Sequence, residues 1–183
     1  MGTRVQRGAG ERGFTLLEML VVLAIIGIVT AGVLLSLNLG GHDVPLDTAA
    51  HRLHALMRYA REQGELQTRD YGIVFEPRGY RFVVFSERHN AWRQATGDSA
   101  LRARRLPAGV RLRVVVDGRE VKLRAHPEDK NGSLAPQVML YSSGDLSSFR
   151  VTLERPGTHR GFVIRPDRDG RIIEQPLKHN DAS

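Results

Sequence analysis

One carboxylate stands where a carboxylate is expensive. From Phe14 the sequence reads FTLLEMLVVLAIIGIVTAGVLLSLNLG, and Glu18 is the only charge before Asp43. An acid at the centre of a membrane-spanning helix costs about 2.5–3.5 kcal/mol, and less near an end. A plain anchor gains nothing from that cost, so Glu18 points to a task beyond anchoring.

Four other groups have residue types that could do chemistry. His51 and His54 lie three apart on a helical stretch and could share a metal, but the sequence offers no third ligand. Ser142-Ser143-Gly144-Asp145 contains a hydroxyl and an acid. It lacks a G-x-S-x-G elbow and any histidine in a defined relation to it, so a polar turn explains it better. Asp167 and Asp169 could approach calcium, yet too few oxygen ligands accompany them, and Asp-Gly is a common turn. Arg102, Arg104, Arg105, Arg111 and Arg113 form a denser basic stretch in a chain of net charge +7. Such a charge raises nucleic acid or anionic lipid as partners, whereas interleaved arginines and acids usually form a solvated surface.

The elements that carry these residues begin with the apolar run. Met19 to Leu37 is uncharged and would extend about 28 Å as a helix, close to the ~30 Å hydrocarbon core. Arg4, Arg7 and Arg12 precede it and a larger polar segment follows. That order predicts a single pass with a cytoplasmic N-terminus and a translocated C-terminal domain. A secretory signal would have a shorter apolar region closed by a small-residue cleavage site, and none closes this one. Hydropathy alone leaves an uncleaved signal anchor open. With 183 residues and no cysteine, the rest holds one modest domain without disulfides or zinc–thiolate sites.

Gly13-Phe14-Thr15-Leu16-Leu17-Glu18, followed at once by the apolar run, resembles the class III signal of type IV pilins and type II secretion pseudopilins. The resemblance implies that a prepilin peptidase cuts between Gly13 and Phe14 and methylates the new Phe14 amine. Gly13 has no Cβ, so its backbone can take conformations that a narrow protease cleft requires. Residues 1–13 would be a basic leader. Their loss removes three arginines and one glutamate and lowers the charge from +7 to +5. Glu18 lies four residues beyond Phe14, on the same helical face. It could pair with its own ammonium or with a neighbouring subunit's, and in the second case set the axial register of a filament.

Residues 14–39 are thus read as the transmembrane helix and 40–183 as a periplasmic part. Pro45 suits the first turn of a second helix. Leu46, Ala49, Ala50, Leu53, Met57 and Ala60 recur at helical spacing to near Gln67. Strands are predicted over Tyr71–Phe75, Tyr80–Phe85, Val110–Val116, Arg119–Leu123, Val138–Tyr141, Phe149–Leu153, Phe162–Arg165 and Arg171–Glu174. Asp117-Gly118 is the clearest hairpin turn among them. Residues 87–109, with Trp92, read as a long polar connection, and the tail from Pro176 as disordered.

The fold class expected is α+β and pilin-like, with a long N-terminal helix on antiparallel sheet. The order of elements, with Tyr71-Gly72-Ile73, Gly79-Tyr80 and Asp169-Gly170-Arg171-Ile172, resembles pseudopilin H of type II secretion, grouped with the FimT proteins. That implies a minor pseudopilin, a structural subunit helping folded proteins across the outer membrane, with no enzyme activity and no cofactor. Its partners would be the prepilin peptidase, other major and minor pseudopilins, inner-membrane lipid and possible secreted substrates. The alternative is a FimT-like minor pilin of a surface pilus that binds DNA. The resemblance implies an arginine-dense C-terminal motif for FimT-like DNA binders and a C-terminal disulfide loop for many surface pilins. The tail beyond Pro176 has no arginine and the chain no cysteine, so secretion is favoured over the surface fibre and nucleic acid is disfavoured as a partner.

Overall fold

The computed structural model describes residues 16–39, 43–125, 133–158 and 160–178, with side chains in the first helix given as far as Thr30. Two compact units result, divided between His42 and Asp43.

The first unit is α1 (Leu16–Leu39). It is apolar on every side, and its described large side chains are exposed, among them Leu16, Leu17, Leu23 and Ile28. A helix apolar all round seeks burial in protein or lipid. Among the described residues no helix is long and apolar enough to cross a membrane. The described side chains of α1 stop at Thr30, whereas the span read from the sequence continues to Leu37.

The second unit opens with α2 (Val44–Gln67). Asp43 caps it, accepting the Leu46 N–H at 3.2 Å, and Pro45 sits in the first turn, where a missing N–H costs nothing. Leu46, Ala49, Ala50, Leu53, Met57 and Ala60 are buried, as their periodicity predicts. The helix ends at Thr68, whose φ of 51° lies in the left-handed region that β-branched residues avoid.

Two antiparallel sheets follow. The first is ordered β3-β2-β1-β7, with β4 also on β2; these strands are β1 (Tyr71–Glu76), β2 (Gly79–Ser86), β3 (Ala91–Gln94), β4 (Arg104–Arg105) and β7 (Val138–Leu140). The second is ordered β10-β9-β8-β5-β6, from β5 (Arg111–Val116), β6 (Arg119–Glu120), β8 (Phe149–Glu154), β9 (Gly161–Pro166) and β10 (Ile172–Pro176). One core joins the inner faces of both sheets to α2, with Met57, Phe75, Phe82, Leu153 and Ile164 fully buried. β1 is buried on both faces, because Val74 and Val83 pack behind the first sheet with Leu134 and Trp92.

Three sequence expectations change. The stretch 87–109 is structured: single 3₁₀ turns at Glu87–His89 and Ser99–Leu101 flank β3, and β4 follows. Trp92 packs on Phe85 with ring centroids 5.4 Å apart, and Ala95 and Leu101 are buried. These apolar anchors are too widely spaced to give a periodic signal. β6 stops at Glu120, although its Asp117-Gly118 turn has both residues at positive φ, as the type I′ turn requires. β10 runs through Pro176, and the Leu177 N–H donates to the Gly161 carbonyl at 2.8 Å.

Candidate functional site

Glu18 lies in the first turn of α1, exposed beside Leu16, Leu17 and Met19. Its position at the helix start is electrostatically favourable, because the unpaired N–H groups there carry partial positive charge. Gly13 and Phe14, the proposed cleavage and methylation residues, lie outside the described residues.

Three of the other candidate groups, the histidine pair and the two polar turns, have structural partners. His51 Nδ1 is 2.6 Å from Glu174 Oε1, and His54 Nδ1 is 3.6 Å from Glu174 Oε2. His54 Nε2 is 2.9 Å from the Ile172 carbonyl, which can only accept, so that nitrogen carries the proton. The two imidazoles therefore bracket a carboxylate on β10 and tie that edge strand to α2. Among the described residues, no group of three or more His, Cys, Asp or Glu is placed to hold a metal ion. Sequence reasoning had no means of finding Glu174, which folding brings from the far end of the chain.

Ser143 Oγ donates to Asp145 Oδ2 at 2.9 Å, Gly144 has a φ of 88°, and the Ser142 N–H donates to Asp70 Oδ1 at 2.8 Å. These bonds close a polar turn against the α2–β1 connection. Asp167 Oδ1 accepts the N–H groups of Asp169 (2.9 Å) and Arg171 (2.8 Å), which shapes the β9–β10 turn.

Two glycines hold close backbone approaches. A Cβ at Gly72 would lie 2.5 Å from the Pro136 Cβ, and one at Gly79 would run into the Arg104 carbonyl. Hence β7 and β4 can flank the first hairpin only if those positions lack side chains.

A second feature is electrostatic. Asp43 accepts from Arg155 Nη2 at 3.0 Å and closely from Arg155 Nε, while Arg155 Nη1 donates to the Ala108 carbonyl at 3.0 Å. The Arg155 hydrogen bonds hold the Asp43 carboxyl below its ordinary range, against an opposing push from burial. This pair fixes the start of α2 to the loop after β4. Pro45 marks the first turn of α2 in the sequence, but the Asp43 cap and its partner Arg155, 112 residues away, emerge only from the structure.

Comparison with known proteins bears on these features together. Residues 9–34 match the prokaryotic N-terminal methylation motif, and residues 49–170 match the type II transport protein GspH family. The type II secretion system protein H of Pseudomonas aeruginosa is 33% identical over 163 residues, covering 87% of this chain and 92% of that protein. That of Aeromonas hydrophila is 29% identical, covering 88% and 92%. A crystal structure of the minor pseudopilin EpsH of Vibrio cholerae superposes with a TM-score of 0.62 at 17% identity, over 73% of this chain and 97% of that one. The solution structure of Escherichia coli GspH gives a TM-score of 0.52 at 16% identity, over 74% and 91%. The α+β architecture is thus that of the solved pseudopilins, and the chain belongs to the GspH family of type II transport proteins, the minor pseudopilins of type II secretion.

Proposed function

We propose that this minor pseudopilin is made as a precursor, cut between Gly13 and Phe14, methylated on Phe14, and held in the inner membrane by α1. The N-terminus faces the cytoplasm and residues 40–183 the periplasm. The protein works without a catalytic centre or cofactor, as a structural subunit that joins other pseudopilins and helps folded proteins across the outer membrane. The observation carrying this reading is Glu18, a lone acid in the first turn of an otherwise apolar helix, within the matched methylation motif.

In an assembled filament, a neighbour's Phe14 ammonium would neutralise Glu18 and fix the axial step between subunits. Glu18→Ala should then leave cleavage and insertion intact, since those depend on Gly13 and the apolar run. Crosslinking to neighbouring pseudopilins and secretion in a host lacking its own protein H should both fall. Unchanged crosslinking and secretion would show that the carboxylate is dispensable for assembly.

A further inference from the structure

The arginines of this chain are dispersed in sequence, yet the fold gathers several of them at one place. A groove of about 1020 Å³ runs between the β1–β2 turn and the loop after β4, with Arg78, Arg81, Arg104, Arg105 and Arg111 along it and Glu76 as its acid. Glu76 pairs closely with Arg81, and Arg111 reaches Glu154 at 3.6 Å. The groove shares Tyr80, Arg104 and Arg105 with a hollow of about 240 Å³ that adds Arg52, Val44 and Pro45 from the start of α2. Arg52, Arg78 and Arg105 are exposed and have no ion-pair partner among the described residues. Arg52 and Arg104 both act electrostatically on the Tyr80 phenol, so α2 and β4 direct positive charge at the same spot. The Asp43–Arg155–Ala108 connection holds the start of α2 to the loop after β4.

We propose that this groove is a docking surface for the anionic headgroups of phospholipids. Three observations favour lipid over a nucleic acid. Apolar groups stand beside the guanidiniums: Val44 is 63% exposed, and Pro45, Leu106 and Pro107 line the hollow. Mixed basic and apolar surface suits the boundary between headgroups and acyl chains. Only residues 40–42 separate Leu39 from Asp43, and three residues extend to about 10 Å. With α1 in a bilayer, the start of α2 therefore stays within reach of the headgroups. Finally, among the described residues the groove has no exposed aromatic ring on which a base could stack, because Tyr80 is buried. The docked domain would wait at the membrane surface and leave it when the subunit enters the pseudopilus. This inference rests on the reading that α1 is membrane-embedded.

The sequence has no cysteine, so Ala108→Cys gives one attachment point for a nitroxide on the exposed groove wall. The mature full chain is placed in nanodiscs of phosphatidylcholine alone or with phosphatidylglycerol, and the label's accessibility to a water-soluble nickel chelate is measured. Several-fold protection is expected only with phosphatidylglycerol and low salt. Arg52→Glu/Arg78→Glu/Arg105→Glu should abolish the protection, and Arg105→Gln alone should reduce it, with circular dichroism verifying that each variant is folded. A control of equal charge, Arg58→Glu/Arg69→Glu/Arg88→Glu, should retain it. Equal accessibility in both discs, or equal loss in the control, would overturn the proposal while leaving the anchor intact. So would protection by added DNA in phosphatidylcholine discs without any effect of phosphatidylglycerol. A chain that fails to co-elute with the discs would overturn the anchoring reading and this inference with it.

Discussion

At the scale of single residues, the chain separates positions that act chemically from positions that act by shape. Gly13→Val places a branched side chain where the peptidase cleft is expected to accept none. Co-expression with a prepilin peptidase should then yield only the uncut precursor, visible by intact mass. Asp43 allows a test of a different kind. Its folded-state carboxyl lies below the ordinary 3.8 because of Arg155, so its stabilising effect is complete above that value and is lost as pH falls through the lowered one. Asp43→Asn keeps a capping side chain but loses the charge. It should lower the melting temperature at neutral pH and flatten the stability profile below about pH 4, the ordinary carboxylate range; an unchanged acid limb would show that the pair contributes nothing. Glu18, Gly13 and Phe14 were open to proposal from the sequence alone because each stands out locally, as an acid in an apolar run or a glycine before an aromatic. Arg155 and Glu174 were not, because their importance comes from partners more than a hundred residues away.

At the scale of elements, α2 and the hairpins follow from local rules, and the first sheet depends on contacts that local rules do not express. The apolar stripe of α2 predicted its buried face residue by residue, and Asp117-Gly118 predicted its turn. β3 and β4 were missed, since each is short and held by β2 rather than by its own pattern. Gly79 is the residue that admits β4. Gly79→Ala sets a methyl group against backbone that cannot swing aside, and should cost on the order of 1–3 kcal/mol in denaturant unfolding. Thr68→Gly should act in the opposite sense. Removing a β-branched side chain from a left-handed helix end should stabilise by about 0.5–1 kcal/mol. A loss of stability in that variant would mean that the Thr68 side chain contributes more than its backbone strain costs.

At the scale of the whole molecule, the division at His42 and Asp43 separates an apolar helix from a domain with its own core. A chain starting near Val44 should therefore fold as a soluble monomer, with sedimentation as the check. Within it, Met57→Ala should cost about 2–5 kcal/mol, because Met57 is fully buried between α2 and the sheets. The α+β class and the order of α2 and the longer strands were readable from periodicity and turns. The closing of two sheets over one helix, and the gathering of dispersed arginines into a groove, were not, since both arise from long-range pairing. On this reading the first residues direct both processing and assembly of the pseudopilin. Intact-mass analysis of the protein purified after co-expression with a prepilin peptidase tests it most directly. The mature protein should lack residues 1–13 and carry one added methyl group on Phe14. Retention of the leader, or cleavage beyond the apolar run, would contradict it.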